Sequence, residues 1–230
     1  MPGEPAVPDG RTVASRLAEA RERIAAAGRD PAEVTVVAVT KGFGPQAVRS
    51  ALDAGLNDIG ENYSQELLAK AAALAGDPSA RGVRWHYLGA IQRNKVARLA
   101  PLVGCWQGLV RPEEAEEIAR RSPGAQVLVE VDFTEEPGRR GCAPGQVAAL
   151  VARIGDLPVV CRGLMTVAPV GPEPARRAFA GLTRLADQLG LSVRSMGMSD
   201  DYAQAVALGA TMIRLGRTLF GERPARREPR

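Results

Sequence analysis

A chain of 230 residues with 45% hydrophobic and 24% charged residues has the composition of an ordinary soluble globular protein with a substantial core. The net charge of +4 includes a basic stretch at 223–230 without aromatic residues or a nucleic-acid-binding motif, so we expect no nucleic-acid partner. Three cysteines without a C-x-x-C pair and a single histidine exclude a zinc site of the usual spacing, a multi-histidine metal site and a disulfide framework. Because the sequence shows no apolar run of about 18 residues and no signal sequence, we expect a cytoplasmic protein without a membrane partner.

The first predicted element is an amphipathic helix over residues 11–28. Apolar residues recur in it at helical spacing from Val13 to Ile24, with arginine and glutamate on the opposite side. This helix precedes the first strand and is therefore an extra element outside any strand–helix repeat. The flanking segments 1–10 and 223–230 are rich in proline, glycine and charge, which predicts disorder.

From residue 34 onward, predicted strands alternate with predicted helices. Such alternation indicates parallel strands with right-handed crossovers, and eight repeats favour a closed (β/α)8 TIM-type barrel over an open sheet. No linker divides the sequence, so we predict one domain over residues 11–222. The second and fourth strands have the weakest patterns. The predicted strands are 34–40, 57–60, 84–89, 103–107, 126–131, 162–166, 191–196 and 211–215, and helices follow at 45–54, 64–75, 94–100, 112–121, 144–154, 173–189, 200–208 and from 217.

Lys41 follows the first predicted strand, at the end where barrels of this kind place their chemistry. The strand before it, 34–40, is a nearly continuous β-branched run, which is typical of a strand buried on both faces. Only three of the 30 basic residues are lysine, so this chain ordinarily uses arginine for positive charge. A lysine can lose its proton and attack a carbonyl, which an arginine cannot. The alternative is an ordinary solvated lysine at the end of a strand.

The loops after the seventh and eighth predicted strands have the composition of a phosphate site. Barrels often bind phosphate with these two loops and the amino terminus of a short helix. Gly197 and Gly216 allow the backbone to approach closely, and hydroxyl groups come from Ser195, Ser199 and Thr218. Small polar residues are also common in tight turns, so neither loop is specific alone. Together, and with a lysine across the barrel mouth, they predict a phosphate ligand.

A phosphate beside a lysine indicates a phosphorylated carbonyl compound held as a Schiff base. Two chemistries fit, pyridoxal 5′-phosphate and a sugar-phosphate aldolase. Arg214 precedes Gly216 by two residues, so both point the same way from the last strand. A permanently charged donor suits an unprotonated ring nitrogen, which makes a pyridine cofactor a poor electron sink. The alternative is an outward-facing arginine in an ion pair.

Six motifs follow one another along the sequence. They are AVTK at 38–41, GENYSQE at 60–66, WHYLG at 85–89 with Gln92 and Asn94-Lys95, GLMT at 163–166, SMGMSDDY at 195–202 and RLGRTLFG at 214–221. With these motifs the sequence resembles the pyridoxal phosphate homeostasis proteins, whose fold resembles the N-terminal barrel domain of alanine racemase. The resemblance extends from the first helix to Glu222.

The resemblance implies a pyridoxal 5′-phosphate-binding protein that acts in the intracellular homeostasis of this cofactor. It would hold the cofactor as an aldimine on Lys41 and buffer it or deliver it to apo-enzymes. Arg214 would face the pyridine nitrogen. The other implied contacts are Asn62 near the ring, Met165 against the cofactor, and Ser195, Gly197, Gly216 and Thr218 around the phosphate.

Two segments depart from the family pattern. Residues 103–107 lack the expected serine- and aspartate-containing stretch, and 135–141 carry arginine where the family tends to have lysine. The sole histidine, His86, is interpreted as a packed or hydrogen-bonded residue, with a general base as the alternative. These departures leave the implied cofactor residues unchanged.

Racemisation on this fold needs a second base on the opposite face of the cofactor, which alanine racemase takes from a separate domain of its partner subunit. We expect this chain to lack that domain, and none of its three tyrosines has an evident claim to the role. We therefore predict a monomeric carrier and no enzyme. The alternatives are a weak pyridoxal phosphate-dependent racemase or other such enzyme, and the aldolase.

Overall fold

Eight parallel strands form a closed barrel in the computed structural model, which describes residues 7–134 and 138–223. The strands are β1 (Thr35–Val39), β2 (Asp58–Glu61), β3 (Arg84–Tyr87), β4 (Val103–Leu109), β5 (Gln126–Glu130), β6 (Val160–Met165), β7 (Val193–Ser195) and β8 (Met212–Leu215). They neighbour one another in sequence order, and β8 pairs with β1 to close the ring. The predicted barrel is confirmed.

Nine α-helices lie in the described part of the chain, and all but the first follow a strand. They are α1 (Gly10–Ala26), α2 (Pro45–Asp53), α3 (Ser64–Ala73), α4 (Arg93–Leu99), α5 (Pro112–Arg121), α6 (Val147–Gly155), α7 (Pro172–Gln188), α8 (Tyr202–Ala207) and α9 (Arg217–Phe220). Proline begins α2, α5 and α7, where its fixed φ angle and missing N–H group cost nothing. No helix in the described part of the chain is long and apolar enough to span a membrane.

The core has two compartments because the strands bury both faces. A small cluster fills the inside of the barrel, and it includes Val37, Leu128 and Met165. A much larger apolar layer lies between the strands and the surrounding helices. The rim of the barrel is therefore a rigid platform for the loops at the carboxyl ends of the strands.

The extra helix α1 covers the seam where β8 meets β1. Its predicted apolar stripe is buried, with Val13 and Ile24 fully inaccessible, and the helix packs against α2, α8 and α9. Arg16 Nη1 donates a hydrogen bond of 2.9 Å to the carbonyl of Leu219 in α9. The first helix is thus joined to the last one.

Two local predictions differ from the structure. The fourth strand, which looked weak in the sequence, is with seven residues the longest of the eight. Helix α8 was expected to start at a Ser199-Asp200 cap but begins at Tyr202, because Asp201 Oδ1 instead accepts from the backbone N–H of Met198 and folds the loop on itself. The predicted disordered segments fall mostly on residues 1–6 and 224–230, and part of the arginine-bearing departure falls on 135–137, all outside the described residues.

Candidate functional site

A cavity of about 240 Å³ opens at the carboxyl ends of the strands. Five predicted site residues line it: Lys41, Asn62, Met165, Arg214 and Gly216. Its walls are completed by apolar side chains, those of Val39, Phe43, Leu88, Val167 and Met198. The rim consists of the charged residues Asp200, Arg217, Glu222 and Arg223, together with Ser199 and Gly221. The cavity lies slightly below the size range of roughly 300–1,000 Å³ that is usual for small-molecule sites.

Lys41 occupies a tight turn directly after β1 and is half-buried. The turn needs glycine at the next position, because Gly42 has a φ angle of +79°. Burial lowers the pKa of Lys41, and the positive charges of Arg223 and Arg214 lower it further. Its amine is therefore neutral, and able to attack a carbonyl, at a lower pH than the amine of a free lysine.

Lys70 and Glu66 of α3 hold the backbone on both sides of Lys41. Lys70 is only 3% exposed, and its Nζ donates to the carbonyl oxygen of Thr40 at 2.7 Å. The N–H of Gly42 donates to Glu66 Oε2 at 2.7 Å. Residues 40 and 42 are thereby fixed to one helix, which restrains where the side chain of Lys41 starts.

The ammonium group of Lys70 is in turn paired with the buried carboxylate of Glu61. Glu61 Oε1 also accepts a hydrogen bond of 2.6 Å from Thr40 Oγ1. Burial raises the pKa of Glu61, against the lowering effects of Lys70 and Thr40. The sequence interpretation missed this support for Lys41, although the scarcity of lysine in the chain could have pointed to Lys70.

Arg214 is 5% exposed and reaches the cavity from β8. Its Nη1 donates to the carbonyl oxygen and Oγ of Ser195 at 2.8 and 2.9 Å, and its Nη2 donates to the carbonyl oxygen of Thr166 at 2.8 Å. Burial lowers its pKa to about 10, with Glu130 and Asp201 opposing, so it stays charged at neutral pH. The alternative of an outward-facing ion pair is wrong.

The remaining walls suit a flat ring with polar substituents. Leu88, Met165 and Met198 present apolar surface, and Met165 is 2% exposed. Asn62 Oδ1 is buried without a hydrogen-bond partner among the described residues. Since buried polar atoms are nearly always hydrogen-bonded, a polar ligand group is a fitting partner for this amide.

Three residues predicted around a phosphate do not line the cavity. Ser195 is fully buried and its Oγ bonds Gln107 and Arg214. Gly197 has a φ angle of +92°, and a Cβ there would lie 2.7 Å from the Cβ of Ala205, so packing of α8 already requires this glycine. The N–H of Thr218 donates to Ser199 Oγ at 3.1 Å. The roles of all three toward phosphate stay predictions.

His86 is buried and hydrogen-bonded on both ring nitrogens, to Asp58 Oδ1 at 2.9 Å and to Gln107 at 2.8 Å. It does not reach the cavity. The interpretation as a hydrogen-bonded residue is confirmed, and the position of His86 gives no support to the general-base alternative. No group of three or more metal-ligating side chains is found in residues 7–134 and 138–223.

Comparisons with known proteins show the family of this chain. The family of the alanine racemase N-terminal domain matches residues 13–224. The pyridoxal phosphate homeostasis protein of Pseudomonas aeruginosa is 40% identical over 224 residues, which are 92% of this chain and 94% of the relative. The chain therefore spans nearly the whole length of this relative.

Among solved structures, PipY of Synechococcus elongatus is 32% identical, and 91% of this chain covers all of it. The TM-score is 0.81 without pyridoxal phosphate and 0.78 with pyridoxal phosphate bound. Lysine decarboxylase from Selenomonas ruminantium shares the fold, with a TM-score of 0.71 at 16% identity, 95% of this chain matching 64% of that one. By sequence and by fold, this chain belongs to the pyridoxal phosphate homeostasis protein family.

Proposed function

We propose that this chain binds pyridoxal 5′-phosphate reversibly in the barrel cavity and buffers or delivers it within the cell. The observation that carries the proposal is the meeting of Lys41 and Arg214 in one apolar-walled cavity. Family membership supports it, since relatives are named pyridoxal phosphate homeostasis proteins and PipY has been solved with the cofactor bound.

Bound pyridoxal phosphate supplies an aldehyde that condenses reversibly with a primary amine, with loss of one water. Lys41 is the one lysine that lines the cavity in the described part of the chain, and its lowered pKa favours the neutral amine that this condensation needs. Arg214 brings a fixed donor for a ring nitrogen, and Asn62 an amide for a ring substituent. Ser199, Gly216 and Arg217 lie together at the rim, where a phosphate is expected.

Arg214 also bears on what the bound cofactor does. A guanidinium that stays charged cannot accept a proton or hand one over easily, so it keeps a ring nitrogen facing it unprotonated. An unprotonated pyridine withdraws electrons poorly, which disfavours the carbanion chemistry of most enzymes that use this cofactor. Arg214 therefore supports a protein that holds the cofactor over an enzyme that uses it for catalysis.

A weak racemase or other pyridoxal phosphate enzyme is the second candidate, favoured by the fold shared with lysine decarboxylase. Racemisation needs a second base on the far face of the cofactor. None of the three tyrosines is among the cavity-lining residues: the hydroxyl of Tyr87 donates to Ala90, Tyr202 is buried and Tyr63 lies on the surface. This placement supports a carrier.

The proposal is tested by adding pyridoxal phosphate to the purified protein and recording visible absorption. We expect a new band that Lys41→Ala abolishes and that the matched variant Lys95→Ala retains, with borohydride reduction fixing the cofactor mass on Lys41. The loaded protein should then restore activity to a pyridoxal phosphate-dependent apo-enzyme. Size-exclusion chromatography with light scattering tests the expected monomer.

Three results would contradict this function. If the Lys41→Ala protein kept the band, Lys41 would not be the residue that binds the cofactor. Lysine-dependent exchange of amino-acid α-protons at enzyme-like rates, of roughly 1 s⁻¹ or faster, would favour the enzyme. Absence of any band in the unaltered protein would contradict the binding of pyridoxal phosphate and would favour the alternative function, a sugar-phosphate aldolase.

A further inference from the structure

A continuous series of hydrogen bonds runs through the inside of the barrel and ends at the cavity. We call it the interior network; its members are Asp58 of β2, His86 of β3, Gln107 of β4, Ser195 of β7 and Arg214 of β8, all buried. Gln107 joins its two halves, since Nε2 lies 2.8 Å from His86 Nδ1 and Oε1 lies 2.7 Å from Ser195 Oγ. Gln107 Nε2 also lies 3.2 Å from the sulfur of Met212 on β8, so this side chain crosses the barrel interior.

The donors and acceptors of the interior network can be assigned from its cavity end. An arginine has donors only, so Ser195 Oγ accepts from Arg214 Nη1 at 2.9 Å and uses its hydroxyl hydrogen toward Gln107 Oε1. That contact orients the amide and turns the Nε2 hydrogens of Gln107 toward His86. Nδ1 of His86 must then be an acceptor, and the ring proton belongs on Nε2, 2.9 Å from Asp58 Oδ1.

Asp58 fixes the other end of the interior network as a carboxylate. The side chain of Arg84 lies at the barrel surface, and its Nε donates a hydrogen bond of 2.8 Å to Asp58 Oδ1. Burial disfavours the charged carboxyl, yet the hydrogen bonds from Arg84 and His86 hold the pKa of Asp58 well below its usual range. With an acceptor-only group at one end and a donor-only group at the other, all the bonds between them have one direction.

We propose that Gln107 is a positioning residue for Arg214, which it orients through the hydroxyl group of Ser195. The same amide sets the tautomer of His86. Insofar as it concerns the cofactor, the inference rests on the function proposed above. Gln107 lies at the end of the segment that departs from the family pattern.

The hydrogen-bond directions make a prediction that needs no cofactor. Because the chain has one histidine, nitrogen and proton NMR of a ¹⁵N-histidine-labelled sample shows a single imidazole. We expect the neutral ring to carry its proton on Nε2, with Nδ1 accepting from Gln107. A proton on Nδ1 at neutral pH would overturn the assignment, whether or not the protein binds pyridoxal phosphate.

The positioning role is tested by replacing Gln107. Gln107→Met removes the acceptor for Ser195 and the donor for His86, and we expect the dissociation constant for pyridoxal phosphate to rise about tenfold, as for the loss of one buried hydrogen bond. The matched control is Gln126→Met, which changes an exposed glutamine at the start of β5 and should bind like the unaltered protein.

Gln107→Glu separates the two roles of the amide. A carboxylate still accepts from Ser195, so the affinity should return to within about threefold of the unaltered protein, yet it cannot donate to His86. The imidazole should therefore gain a proton on Nδ1. Unaltered affinity in Gln107→Met, with circular dichroism confirming its fold, would overturn the positioning role; absence of cofactor binding in the unaltered protein would instead refute the proposed function.

Discussion

The pKa of Lys41 is lowered by the surroundings of its amine. It is half-buried, and two guanidinium groups, those of Arg223 and Arg214, oppose its protonation. Glu61 and Glu66 act in the opposite direction but more weakly. The sequence could indicate Lys41 from its place after a buried strand, but Arg223 lies in a stretch that looked disordered, so its effect could not be predicted.

We expect Arg223→Ala to move the pH dependence of pyridoxal phosphate binding. Below the pKa of Lys41, the binding rate rises with pH because the neutral amine becomes more abundant. Removing the positive charge of Arg223 raises this pKa, so the profile should move to higher pH and the rate at pH 7 should fall. Stopped-flow absorbance across pH 6–10 measures the shift.

Arg177→Ala is the matched control, since Arg177 is exposed on α7 and is not among the groups that act on Lys41. Its profile should coincide with that of the unaltered protein. A profile for Arg223→Ala that coincides as well would show that Arg223 does not act on the amine.

At the scale of secondary structure, alternation of strand and helix patterns was enough to predict all eight repeats. The fourth strand looked weak because Gly104 and Gly108 interrupt its apolar pattern, yet a Cβ at Gly108 would lie 2.6 Å from the carbonyl oxygen of Gly89 and 2.7 Å from Arg140. Sequence shows that Ser195 ends a strand but not which way its side chain turns, and in the structure its Oγ contacts Gln107 and Arg214. Its predicted role toward phosphate stays a prediction. In both strands, contacts between distant elements supply what the local sequence does not show.

Helix α3 offers a test of how the turn carrying Lys41 is held. Lys70→Met leaves the carboxylate of Glu61 buried without its cation and should lower the free energy of unfolding by roughly 3–5 kcal/mol. Adding Glu61→Gln removes that unpaired charge, so the double variant should regain most of the lost stability. Urea denaturation monitored by circular dichroism measures both.

Stability and cofactor binding should separate in this series. The double variant still lacks the bond from Lys70 to the carbonyl of Thr40, so its affinity for pyridoxal phosphate should stay reduced. If affinity recovered together with stability, Lys70 would serve the fold alone and would not position Lys41.

At the scale of the whole molecule, α1 is the element that lies outside the repeat and covers the closing seam. Leu17→Ala removes a fully packed side chain from this contact and should lower the free energy of unfolding by about 2–5 kcal/mol in urea denaturation. Val170→Ala, at a side chain that is 98% exposed, should change it by less than about 0.5 kcal/mol. Equal effects of the two substitutions would contradict a stabilising role for α1.

The cavity joins Lys41 from the first repeat to Arg214 from the last. During synthesis, at roughly 5–20 residues per second, on the order of ten to thirty seconds separate the emergence of these two residues from the ribosome. Throughout that interval the growing chain has Lys41 but no cavity, because β8 must pair with β1 before Arg214 can lie across the cavity from Lys41. The ligand can therefore bind only after the whole barrel has been synthesised. Because the ligand binds only the folded form, it stabilises the closed barrel.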